Sequence, residues 1–101
     1  MQYKELELLV IEWAKNKEIL TKGNKMSQAL KTLEEVGELI NSIHNNDSIG
    51  ATDDLGDILV TIIIQAEMQG VSLTECLESA YNVIAKRTGK MVDGQFVKDN
   101  G

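Results

Sequence analysis

The stretch Ile58-Leu59-Val60-Thr61-Ile62-Ile63-Ile64 constrains this chain more than any other. Six of its seven residues are β-branched, a composition that by itself favours a strand. Yet the polar residues around it keep a helical spacing, and no other segment has the character of a partner strand. The stretch therefore reads as the middle of a helix over 52–69, closed by Gly70 in a left-handed cap. A helix that is apolar all round must be covered on all sides. A chain of 101 residues covers it only in part. A homo-oligomer, dimer or tetramer, is expected, with this helix at both the core and the subunit contact.

Three more helices follow from spacing. The first runs over 2–17, with Leu6, Leu9, Val10, Trp13 and Ala14 in one stripe, until Lys22-Gly23-Asn24 interrupts it. The second runs over 27–45, with Leu30, Leu33, Val36 or Gly37, Ile40 and Ile43 on one side. The turn-forming cluster Asn45-Asn46-Asp47-Ser48 leads to the third, described above. Ser72 and Glu75 form a capping box that opens a fourth helix over 73–88. Residues 90–98 are a hairpin signal, with Asp93-Gly94 suited to a two-residue turn. The expectation is one all-α domain over 1–101: a four-helix bundle with a short C-terminal β-hairpin.

Composition excludes several classes. Ten basic against sixteen acidic residues give a net charge of −6, the wrong sign for a protein that grips duplex nucleic acid. Cys76 is the single cysteine, which excludes an intrachain disulfide and a cysteine-rich metal site. The N-terminal residues are acidic and discontinuous in their apolar content, unlike a signal peptide. The run from Ile58 to Ala66 is about half the length of a membrane span. A cytoplasmic protein without a membrane segment is expected.

The chemistry lies in a doubled pattern. Glu34-Glu35-Val36-Gly37-Glu38 on the second helix is echoed by Asp53-Asp54-Leu55-Gly56-Asp57 on the third. Positions i, i+1 and i+4 share one arc of a helix, so each triplet of acids lies on one side. Like charges at that spacing repel, and six facing carboxylates call for something positive between them. A glycine inside a helix costs roughly 1 kcal/mol relative to alanine. Its recurrence at the same place in both blocks suggests that the two helices approach closely there. Oxygen ligands without cysteine or histidine suit Mg²⁺ or Mn²⁺. His44, the single histidine, lies six residues after Glu38 and does not supply the Glu-x-x-His pairs of a di-iron bundle. The bland alternative is a solvated acidic face on a helical-bundle interaction protein.

The run Gln28-x-x-Lys31-x-x-Glu34-Glu35-Val36-Gly37-Glu38-Leu39, followed by Asp54-Leu55-Gly56-Asp57-Ile58-Leu59 and by Asn82-Val83-Ile84-Ala85-Lys86-Arg87, resembles the MazG-like, all-α nucleoside triphosphate pyrophosphohydrolases. The resemblance covers 28–87 and, more loosely, the whole chain. It implies hydrolysis of the bond between the α and β phosphates of a nucleoside triphosphate, giving a monophosphate and pyrophosphate. By the family pattern, Glu35, Glu38, Asp54 and Asp57 would hold Mg²⁺, with Mn²⁺ a possible substitute. Glu34 and Glu38 would orient the attacking water. Asp54 stands where many members carry Glu, and Asp53 lies outside the pattern.

The resemblance assigns Asn82 and Lys86 to phosphate binding, and their spacing of four puts them on one face of the fourth helix. Arg87 lies off that face and is left to phosphate, a subunit contact or a tail contact. Lys31 either touches phosphate or pairs with Glu35. Gln28 either reads a base edge or simply occupies a first helical turn. Trp13 either packs in the core or stacks on a base.

Overall fold

The structure is a computed structural model, and it describes residues 1–99. Its elements are α1 (Tyr3–Asn16), α2 (Ile19–Lys22), α3 (Lys25–His44), α4 (Ser48–Gln69), α5 (Leu73–Ile84), β1 (Gly89–Val92) and β2 (Gln95–Lys98). They fall into two compact units, one ending at Val71 and the other beginning at Ser72.

In the first unit the segment 58–64 is helical throughout, as its flanks predict, and lies within α4. There are five helices where spacing predicts four. The extra one is the single turn α2, set off from α1 because Glu18 adopts a left-handed φ of 63°. A salt bridge from Lys22 Nζ to Glu18 Oε2 at 2.8 Å spans that turn.

Caps decide the remaining boundaries. Asn24 accepts from the Ser27 amide at 2.8 Å and starts α3 before residue 27. Asp47 accepts from the Gly50 amide at 2.9 Å and starts α4 at Ser48, four residues before the predicted start. A Cβ at position 50 would collide with that Asp47 carboxylate, so the cap requires glycine there. Gly70 closes α4 with φ 68°, as expected.

The seam between the antiparallel helices α3 and α4 is polar. Ser42 Oγ donates to Asp54 Oδ2 at 2.6 Å near the connecting turn. Thr32 Oγ1 donates to Thr61 Oγ1 at 2.9 Å, and Gln28 Nε2 donates to the Thr61 carbonyl at 3.0 Å. Gln65 Nε2 reaches the Lys25 carbonyl at 3.3 Å at the far end. Buried polar groups must find such partners, and these four bonds fix the register of the pair.

The buried aliphatic residues are Ala14 of α1 with Ile63, Ile64 and Ala66 of α4. Coverage of α4 is therefore partial, as predicted: Leu55 is 60% and Leu59 41% exposed. The stripe Leu30, Leu33, Ile40 and Ile43 does not enter the bundle. All four residues are more than half exposed, and Gln28, Thr32, Glu35 and Ser42 face α4 instead. Met26 and Met91 are 71% and 66% exposed, whereas Met68 of α4 is half-buried.

The second unit begins with the predicted cap, Ser72 Oγ accepting from the Glu75 amide at 3.4 Å. α5 stops at Ile84 rather than 88, and the amides of Lys86 and Arg87 donate to the Val83 and Ile84 carbonyls in a turn. The hairpin pairs Gly89 with Lys98 and Val92 with Gln95. Asp93 and Gly94 carry φ of 49° and 81°, the two positive values of a tight hairpin turn.

Candidate functional site: two acid blocks beside a cleft

The Ser42–Asp54 and Thr32–Thr61 bonds bracket the acid blocks. Between them lie Glu34, Glu35 and Glu38 on α3, and Asp57 on α4. Each block turns one acid inward: Glu35 is 9% and Asp54 8% exposed, whereas Glu34, Glu38, Asp53 and Asp57 are exposed. A helix turns about 100° per residue, so only one of two consecutive acids can point at the neighbouring helix.

The two inward acids are held differently. Asp54 accepts from Ser42. Glu35 has its Oε1 3.6 Å from Lys31 Nζ, while its Oε2 is buried without a hydrogen-bond partner. The ammonium of Lys31 also stands 3.5 Å from Glu34 Oε1. The charge of Glu34 does most to hold Lys31 protonated beyond its ordinary range; burial opposes it, and the charge of Glu35 adds to it. Among the described residues, Lys31 is the one base paired with either acid block.

Glu38 feels the imbalance. Its carboxyl is held above the usual carboxylate range, first by a hydrogen bond with Glu35 and then by the charge of Glu35. Burial and the charges of Asp54 and Glu34 add to this. A carboxylate crowded by others keeps its proton because ionisation would place like charges side by side. Among the described residues, no three His, Cys, Asp or Glu side chains are gathered into a ready-made metal cage as they lie. The acids flank one place from two helices instead of enclosing it.

Beside them is a cleft of about 220 Å³, lined by Trp13, Gln28, Lys31, Glu35, Asp57 and Thr61 together with Ile19, Val60 and Ile64. Its lining thus combines aromatic and aliphatic side chains with charged ones. Trp13 is 49% exposed and lines the cleft rather than filling the core. Gln28 is buried, with its amide nitrogen engaged by Thr61. Lys31 pairs with both Glu34 and Glu35.

Gly37 and Gly56 do not serve a close approach of α3 to α4. A Cβ at either would meet nothing within 4 Å, because both positions face away from the seam. Asn82, Lys86 and Arg87 belong to the second unit, where Asn82 is on α5 and the other two follow its end. Asn82 and Lys86 therefore do not share a helix face. Spacing alone did not single out Thr32, Ser42 or Thr61. The signal for Thr61 was present, as the one hydroxyl in an otherwise aliphatic run.

The MazG nucleotide pyrophosphohydrolase domain model matches residues 24–92, which takes in α3, both acid blocks, α5 and the first strand of the hairpin. The chain belongs to the MazG nucleotide pyrophosphohydrolase domain family. No curated protein and no solved structure matches it. No helix among the described residues is long and apolar enough to cross a membrane.

Proposed function

We propose that the chain is a Mg²⁺-dependent nucleoside triphosphate pyrophosphohydrolase that cuts between the α and β phosphates, releasing a nucleoside monophosphate and pyrophosphate. The carrying observation is the buried, unpartnered Glu35 Oε2 beside a Glu38 carboxyl raised by its neighbours. Such a surplus of negative charge fits a divalent cation with hard oxygen ligands. Glu35, Glu38, Asp54 and Asp57 would hold it. When bound, Mg²⁺ supplies charge compensation for the triphosphate and acidifies coordinated water.

The chain's own residues do the rest. Glu34 and Glu38 are proposed to orient the attacking water and take its proton. Lys31, in the lining of the cleft, offers its ammonium to the phosphate chain. Trp13 offers a face for the base and Gln28 an amide for its edge. Asn82, Lys86 and Arg87 are proposed to add phosphate contacts. Hydrolysis is proposed to be direct, with water as the nucleophile and no covalent intermediate.

The test is a thermal melt of EDTA-treated protein with Mg²⁺ and a triphosphate whose α–β bridge is a methylene group. The melting temperature should rise by several degrees with both present, and Glu35→Gln should abolish the gain. No gain over matched Na⁺ would leave the acids as the solvated face of a non-enzymatic helical bundle.

A further inference from the structure

We infer that Ser42 is a positioning residue for cation binding: its hydroxyl aims the Asp54 carboxylate and makes the site favour Mg²⁺ over Ca²⁺. The inference rests on the metal site proposed above and names the residue that sets its selectivity.

The sequence places Ser42 where it can act. Glu35, Glu38 and Ser42 are spaced by three and then four residues on α3, so they follow one another along one helix face. The turn to α4 is short and sets Ser42 beside the start of that helix. Ser42 Oγ donates to Asp54 Oδ2 at 2.6 Å, the length of a hydroxyl bond to an ionised carboxylate. The charge of Asp54 also bears on Glu38, so acids of both helices border one place.

The turn closes without this bond. The Ser42 carbonyl accepts from the Asp47 amide at 2.9 Å, and Asp47 in turn caps α4 through the Gly50 amide. Asn46 supplies the left-handed φ of 57°. The hydroxyl is left to act on the carboxylate, and the turn keeps room for it. A Cβ at position 50 would crowd Ser42 Oγ at 3.1 Å, besides striking the Asp47 carboxylate.

Asp54 is 8% exposed, and among the described residues Ser42 is its one hydrogen-bond donor. Glu35 Oε2, by contrast, is buried with no partner. A short side chain with one oxygen committed presents the other in a narrow range of directions. Groups that bond a ligating carboxylate from behind fix its orientation, and losing one typically costs about 10- to 100-fold in metal affinity. Mg²⁺ demands near-ideal octahedral geometry, whereas Ca²⁺ accepts looser arrangements, including both oxygens of one carboxylate. An aimed Asp54 offering a single oxygen suits the first cation, and a freely turning one suits the second.

The test is metal binding by the full chain after EDTA treatment, with Mn²⁺ followed by electron paramagnetic resonance and Mg²⁺ and Ca²⁺ by competition. In Ser42→Ala the Mg²⁺ dissociation constant should rise by roughly 10- to 100-fold, and that of Ca²⁺ should rise much less or fall. Ser42→Thr, which keeps the hydroxyl, should restore the preference. Ser42→Cys keeps the size and offers only a weak donor, so it should follow the alanine variant even where alanine perturbs the fold. Unchanged Mg²⁺ affinity in both, with wild-type binding intact, would overturn the inference and leave the proposed metal site standing. So would an equal loss for both cations, the mark of a merely loosened bundle. A wild-type chain that holds none of the three cations would overturn the inference and the proposed site together.

Discussion

Glu35 and Glu38, three residues apart on α3, bring two carboxyl groups to one place beside α4. One offers a buried oxygen without a partner, and the other is raised above the ordinary carboxylate range by that neighbour. Exposed acids at this spacing repel only weakly. Here burial of Glu35 removes the water that would screen it, and the repulsion persists in the folded state.

Replacing Glu35 with Gln should therefore stabilise the metal-free protein. The amide can donate to Glu38, and the loss of one partner for the half-exposed Lys31 costs little. A gain of about 1 kcal/mol is expected, which raises the melting temperature of a chain this size by about 4–8 °C. The same variant should lose its response to Mg²⁺. Thermal melts in EDTA and in Mg²⁺ check both halves, and a destabilised metal-free variant would contradict the first.

The raised Glu38 carboxyl makes a pH prediction whose sign is fixed. Between the ordinary value of 4.5 and its higher folded value, the metal-free folded protein binds more protons than the unfolded chain. Stability from this group falls as pH rises through that window. Glu38→Gln lacks the term, so its melting temperature in EDTA should gain on the wild type from pH 4.5 upward and then level off. A difference independent of pH would count against the Glu35–Glu38 pairing.

The hydroxyl pair between α3 and α4 invites a double-mutant cycle. Thr61→Val removes the nearer acceptor of Thr32 and leaves that hydroxyl only its 3.3 Å bond to the Gln28 carbonyl, at a cost of about 1 kcal/mol. Thr32→Val with Thr61→Val should cost less than the two single changes added together, because the bond between the two hydroxyls is lost only once. Urea unfolding reads the coupling, and strict additivity would mean that the rung contributes nothing.

Trp13, half-exposed at the cleft, should matter more for binding than for folding. Trp13→Ala is expected to raise KM by roughly 5- to 150-fold, the span of about 1–3 kcal/mol for stacking an aromatic ring on a base, with kcat little changed. Steady-state kinetics decide this. A large fall in melting temperature at constant KM would return Trp13 to a packing role.

Which parts of this were legible in the sequence follows from the kind of signal each left. The helical state of Ile58–Ile64 was readable because its polar flanks keep a helical period despite β-branched propensity. The Asp93-Gly94 turn and the Gly70 and Ser72 caps were readable because each needs a particular residue type. The acid blocks were readable as a unit, since six carboxylates and two glycines repeat one pattern. The orientation of α3 was not. Apolar spacing identifies a face but not what covers it, and the polar seam was hidden among scattered Gln, Thr and Ser residues that only tertiary pairing unites. The break at Glu18 left no trace because no glycine or asparagine marks that left-handed position.

The central claim is the bond that is cut, and ³¹P NMR of the products tests it most directly. A panel of ribo- and deoxynucleoside triphosphates would be incubated with the protein and Mg²⁺, alongside a Glu38→Gln control. The account predicts nucleoside monophosphate and pyrophosphate in equal amounts, absent in the control. Nucleoside diphosphate with orthophosphate, or products unchanged by Glu38→Gln, would contradict it.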